Sequence, residues 1–174
     1  MAKLFSQSLD LPSAGSVDTL AQELAILNDK GKRRIAFLGS RHVPVVDIHL
    51  IELIARSLAE EGNSIITSGS QGVNVAVIRA VLEVNPGLLT VLLPQSLDRQ
   101  LPDVREQLKE VLHLVEKSEN DNLPLPVASS LCNQEIINRS DQLICFAFHD
   151  SETILNSCRC AEDMGKVVSL LFFD

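Results

Sequence analysis

The sequence predicts an α/β domain of three layers, with helices on both faces of a mostly parallel central sheet. Two observations lead there. Short, mostly apolar runs such as Arg34-Ile35-Ala36-Phe37-Leu38 and Val167 to Phe173 alternate with longer segments of helical periodicity. The apolar runs also lack the in–out alternation of a half-exposed antiparallel strand, so they read as strands covered on both sides.

The elements follow in order. Residues 1–15 hold Pro12, Gly15 and several serines without periodicity, and are expected to be a flexible lead-in to one domain over 16–174. Leu20, Leu24 and Leu27 recur at helical spacing after the capping candidates Ser16 and Asp18, which predicts a helix over 17–29 closed by Lys30-Gly31-Lys32. A first strand over 34–38 stops at Gly39. Ile48, Ile51, Ile54, Ala55 and Leu58 mark the inner face of a helix over 45–61. Ser64 to Thr67 is a second strand, a glycine-containing loop follows, and helix resumes over 73–84. Asn85-Pro86-Gly87 is a turn before a third strand, Leu88 to Leu93. A helix is expected over 103–112, and Leu112 to Val115 reads either as a short strand or as the end of that helix. Residues 117–128 contain Pro124 and Pro126 and are expected to be loop. Helix over 131–139, strand over 142–148, helix over 152–164 and strand over 167–173 complete the chain.

Composition narrows the function classes. At 174 residues there is room for one domain with a real core. No apolar run is long enough to span a bilayer, and the first residues lack the apolar stretch of a secretory signal, so a cytoplasmic protein without membrane association is expected. Cys132, Cys145, Cys158 and Cys160 follow neither a CxxC nor a zinc-knuckle spacing and are read as reduced thiols. His42, His49, His113 and His149 form no HxxxH or HExxH pattern. No metal and no cofactor are therefore expected. The net charge of −8 opposes nonspecific binding to polyanionic nucleic acid. Within it, Lys30, Lys32, Arg33, Arg34 and Arg41 crowd together, either as a solvated turn or as an anion-attracting patch.

In an open parallel sheet, ligands sit beyond the carboxyl ends of the strands. Three predicted strand ends carry suitable residues. Gly39-Ser40-Arg41 combines close backbone approach, a hydroxyl and a bidentate cation. Thr67-Ser68-Gly69-Ser70-Gln71-Gly72-Val73-Asn74 leads into a helix, whose first N–H groups favour anions. His149-Asp150-Ser151-Glu152-Thr153 is the third, with Ser151 as a capping candidate. The expected phosphate or nucleotide contacts are Gly39, Ser40, Arg41, Thr67, Ser68, Gly69, Ser70, Gln71, Gly72, Asn74, Asn133, Ser151 and Thr153. The Gly69–Gly72 spacing matches neither a dinucleotide fingerprint nor a P-loop. No carboxylate pair stands out as an acid/base couple, and no catalytic residue is assigned. Glu135 and Glu152 lie near predicted strand ends.

These motifs resemble the DNA-processing protein A (DprA/Smf) family, within the wider Rossmann-like set that includes the LOG-type nucleotide hydrolases. Gly39-Ser40-Arg41 matches that family's G-S-R. Thr67 to Asn74 is similar to its S-G-x-A-x-G-I-D loop, and Arg79 and Leu82 continue the match. Val91 to Pro94 through Leu101-Pro102, Ser118-Glu119, Asn133 to Ile137 with Ser140-Asp141, and Ser151 to Thr153 carry it to residue 173. There are departures. Asn74 stands for an acid, Ile78 for a histidine, Cys132 and Gln134 for two arginines, and Glu152 for a glycine. The P-G-G-x-G-T-x-x-E loop of the LOG-type hydrolases is absent.

The resemblance implies a Rossmann-like fold and a protein that binds a nucleotide or single-stranded DNA. It also implies a homodimer acting in DNA uptake or as a recombination mediator beside a recombinase. A non-catalytic nucleotide-sensing or scaffold module is the alternative, and a LOG-like N-glycosidic hydrolase is the third reading. An enzyme is the less favoured class.

Overall fold

The computed structural model describes residues 31–173. The lead-in over 1–15, the helix expected over 17–29 and the boundary at residue 16 lie outside them. Six strands form one all-parallel sheet: β1 (Arg34–Gly39), β2 (Ser64–Ser68), β3 (Leu89–Leu92), β4 (His113–Val115), β5 (Gln142–Ala147) and β6 (Val167–Phe172). Their spatial order is β4-β3-β2-β1-β5-β6. Five helices connect them: α1 (Val45–Glu60), α2 (Val73–Val84), α3 (Pro102–Gln107), α4 (Leu125–Arg139) and α5 (Glu152–Asp163). The Rossmann-like three-layer expectation holds.

Strand alternation sends neighbouring residues to opposite faces. Ile35 and Phe37 of β1 join Ile51, Ala55, Val77 and Val81 in the core beneath α1 and α2. Ala36 and Leu38 join Cys132, Ile136, Cys158 and Ala161 beneath α4 and α5. Both faces are thus apolar and buried, which is why the strands read as mostly apolar runs. The predicted inner face of α1 is correct: Ile51 and Ala55 are fully buried, and Ile48, Ile54 and Leu58 pack on the same core.

Two expectations are revised and one open alternative is decided. Helix α4 starts at Leu125, six residues earlier than expected, because Pro126 occupies its first turn. There a missing N–H costs nothing and the fixed φ favours the helix. Helix α3 ends at Gln107 and gives way to a single 3-10 turn over Leu108–Glu110. His113–Val115 is then a strand, pairing with Thr90–Leu92.

The sheet also separates the basic run. Arg34 begins β1, and Arg41 follows its far end, about 17 Å away for a strand of that length. Arg34 holds Asp141 through Nη2 to Oδ1 (2.7 Å) and through both its backbone N–H and Nε to Oδ2. Arg33 donates to Gln142 Oε1 (3.4 Å). The described members of the cluster therefore do not form one patch, and Arg41 alone reaches the carboxyl edge of the sheet.

Candidate functional site

The strand order changes direction at β1: β2, β3 and β4 lie to one side, β5 and β6 to the other. The crevice above the β1 and β5 carboxyl ends is the topological switch point of the sheet, where ligands of such folds bind. The three predicted loops follow β1, β2 and β5, so all three lie on this edge.

Close backbone packing joins the loops. Ser40 N–H donates to Phe146 O (3.0 Å), and Val73 N–H donates to Ser40 O (3.2 Å). A Cβ on Gly39 would stand 2.4 Å from Val73 Cγ2 and 2.7 Å from Phe146 O. Gly72 has φ +82°, and a Cβ there would fall 2.3 Å from Ser40 O and 2.4 Å from Arg41 O. Glycine is required at Gly39 by the Val73 side chain and the Phe146 carbonyl, and at Gly72 by the main chain of Ser40 and Arg41 together with the left-handed φ. The Val73 amide is engaged by Ser40, which leaves the first-turn amides of Asn74 and Val75 without an intrahelical acceptor at the start of α2.

The serines form two separate groups. Ser40 Oγ and Ser151 Oγ lie 3.0 Å apart, joining the loops after β1 and β5 across the crevice. Ser151 Oγ also accepts from Phe148 N–H (3.1 Å). It makes no capping hydrogen bond to α5, so the expected N-cap role is replaced by a bridge between loops. The second group is Ser68, Ser70 and Asn74. Asn74 Nδ2 donates to both hydroxyl oxygens at 2.6 Å, and these lie 2.7 Å from each other. Asn74 is 1% exposed, and its Oδ1 is buried without a partner among the described residues.

The other predicted residues divide by exposure. Thr67 is fully buried, and its hydroxyl donates to Phe37 O (2.8 Å) inside the sheet, away from the crevice. Gly69 packs against Leu93, where a Cβ would come within 2.3 Å of Cδ2. Arg41, Gln71 and Thr153 are exposed. Arg41 enters none of the ion pairs among the described residues. Asn133 is half-buried on α4, next to Cys132, whose thiol points to Leu92 O (3.6 Å) at the end of β3. Burial pushes the Cys132 thiol up to about 12, so it is a core group rather than a nucleophile.

A cavity of about 440 Å³ opens beside Arg41, between the start of α1 and the first two turns of α2. His42, Gln71, Arg79 and Gln107 supply its polar wall, and Val43, Ile48, Val75 and Ala76 its apolar wall. Arg79 also holds Glu52 Oε1 at 3.1 Å. Sequence reasoning placed Arg41 and Gln71 but not Gln107, which comes from the end of α3 and carries no local signal. Arg79 was marked only as part of a family match; its position two turns after Gly72 on the helix is the signal that places it near the loop.

Glu135 does not reach the crevice as an unpaired carboxylate. Burial alone would raise its pKa, but hydrogen bonds from Lys117 (2.7 Å) and Arg139 (2.5 Å) outweigh that and hold it below the usual glutamate range. Two other loops on this edge are braced by polar contacts. Buried Gln95 donates through Nε2 to the carbonyl oxygens of Asn120 and Leu123, both at 3.1 Å, and Asp121 Oδ1 accepts from Ser96 N–H (2.8 Å). Among the described residues no cluster of three His, Cys, Asp or Glu side chains is placed to hold a metal, and no helix is long and apolar enough to cross a membrane.

No protein-family model and no curated protein matches the chain. Solved structures do. DNA processing protein A from Helicobacter pylori, described for its single-stranded DNA binding mode, superposes with a TM-score of 0.67 at 23% identity over 81% of this chain and 66% of its own. DNA processing protein A from Streptococcus pneumoniae gives 0.65 at 18% identity over 80% of this chain and 50% of its own. The structural-genomics target TM1055 gives 0.56 at 17% identity, over 78% and 72%. The chain spans between half and two thirds of the length of the two DNA processing proteins. At these identities the likeness establishes a shared fold.

Proposed function

We propose that this domain binds a nucleotide or single-stranded DNA by its phosphates at the β1–β5 switch point. One observation carries the reading: the loops at this edge combine two glycine-enforced close approaches, the Ser40–Ser151 hydroxyl pair and an exposed Arg41 that lies outside the ion pairs of the described residues. That set suits a phosphate, which takes hydroxyl and amide donors together with a planar cation. The likeness in fold to two DNA processing proteins supports the same reading.

The finer parts follow that likeness. They are a role in DNA uptake or as a recombination mediator beside a recombinase, assembly as a homodimer, and a cytoplasmic location. Of the two carboxylates that a hydrolase could use, Glu135 is held by Lys117 and Arg139, which counts against it as a general base and leaves Glu152 as the residue that reading would need.

The test is binding of a fluorescent single-stranded oligodeoxynucleotide across a salt series. Phosphate contacts release counterions, so affinity should fall steeply as salt rises. A flat response, or no binding at low salt, would refute polynucleotide binding. A mononucleotide that binds and persists without turnover would instead identify a nucleotide-sensing module.

A further inference from the structure

We infer that the ring pair His149–Phe172, at the carboxyl edge of the sheet, is a stacking platform for a nucleobase. The inference rests on the phosphate-binding reading above and adds a second contact class to the same edge. The two rings lie 4.0 Å apart and 15° from parallel. Both residues are exposed, Phe172 by 40%. The pair has a rigid base. Phe172 closes β6 opposite Ala147 of β5, and His149 follows two residues after Ala147. The next residues along, Phe148 and Phe173, have rings 5.1 Å apart, and Phe173 is buried near Phe146 (6.3 Å) in the core beneath α1 and α2.

Position and charge select the ligand. β6 is two strands from β1, which puts the platform about 10 Å across the sheet edge from the Gly39 loop. That is a few nucleotides at about 3.4 Å per stacked nucleotide. Ser151, which bridges to Ser40, lies between the two places in the loop that carries His149. The exposed acids Asp150 and Glu152 flank the platform. The face of a base is neutral, so it tolerates these neighbours, and it gains from stacking on an aromatic ring. The edge therefore divides into a cationic end at Arg41 for phosphate and an aromatic end at Phe172 for base.

Fluorescence anisotropy with a single-stranded oligodeoxynucleotide and its abasic counterpart, which keeps the phosphodiester backbone, separates the two ends. Phe172→Ala and His149→Ala should each weaken the base-bearing strand by about 10-fold. They should leave the abasic strand and the salt slope unchanged, and Phe172→Tyr should restore affinity. A mononucleotide that shows the same dependence on Phe172 supports the platform with a free nucleotide as its ligand. Undiminished binding by both alanine variants, with Arg41→Ala still weakened, overturns the platform and leaves the phosphate reading standing. Equal losses for both strands without rescue by tyrosine also overturn it, as a structural effect. No binding of any of these ligands by the unmodified protein removes the phosphate reading and the platform together.

Discussion

The hydroxyl oxygens of Ser40 and Ser151 lie 3.0 Å apart although 111 positions separate them in the chain. One belongs to the loop after β1 and the other to the loop before α5, so this contact spans the switch point. Ser40→Ala and Ser151→Ala should each destabilise the fold modestly. A double-mutant cycle by urea denaturation should give a coupling of about 0.5–1.5 kcal/mol, the net worth of one hydrogen bond. Additive losses would mean that the hydroxyls act independently.

Gly72→Ala should be far costlier than Gly165→Ala. Both glycines have positive φ, but a Cβ at 165 meets nothing within 4 Å, whereas at 72 it strikes two carbonyl oxygens. The open site should lose about 1 kcal/mol from backbone strain alone, and Gly72→Ala should lose at least about 2 kcal/mol more. Midpoints of chemical denaturation compare them directly, and equal losses would contradict the interlocked loops.

Arg41→Ala should leave stability unchanged, because the side chain is exposed and outside the ion pairs of the described residues. It should weaken oligonucleotide binding and reduce the slope of log affinity against log salt by about one. An unchanged slope would remove Arg41 from the phosphate site.

The Arg34–Asp141 pair sets a prediction in pH. Hydrogen bonds from the Arg34 side chain and backbone hold the Asp141 carboxyl below its usual value near 3.8, against a smaller opposing effect of burial. A depressed folded-state pKa means that the stabilisation is complete above the unfolded value. It is lost as pH falls from there through the folded value. Asp141→Asn should therefore flatten the loss of stability below about pH 4, by a modest amount because both side chains are about half exposed. Thermal melts between pH 2 and 7 measure it, and parallel curves for the two proteins would exclude the pair.

Gln95→Ala should loosen the loop that follows β4 without unfolding the sheet. Its amide supplies donors to the carbonyl oxygens of Asn120 and Leu123, and removing it leaves these part-buried acceptors without that partner, at about 1 kcal/mol. Hydrogen exchange should quicken in residues 118–125 and remain slow in β1.

Much of the fold was legible because both faces of the sheet are covered. The periodicity places a helix near 73–84, where α2 lies, and Ile51 and Ala55 mark the buried face of α1 from spacing alone. The early start of α4 was hidden by Pro126, which serves equally as a loop residue and as a first-turn residue. The loops of the site were legible as compositions, but their partners were not. Ser151 looked like a helix cap because its true partner, Ser40, is identified only by the adjacency of β1 and β5. The cluster from Lys30 to Arg41 reads either as a solvated turn or as an anion-attracting patch, because nearness in sequence does not show that a strand stands between Arg34 and Arg41. His149 and Phe172 meet only through the pairing of β5 with β6.

The strand order has a kinetic consequence. β1, β2 and β3 can associate as the first half of the chain collapses, but β5 comes from its far end, and closing so long a loop is entropically slow. The crevice should therefore be among the last features to form during refolding, and ligand capture should lag behind the recovery of helical signal.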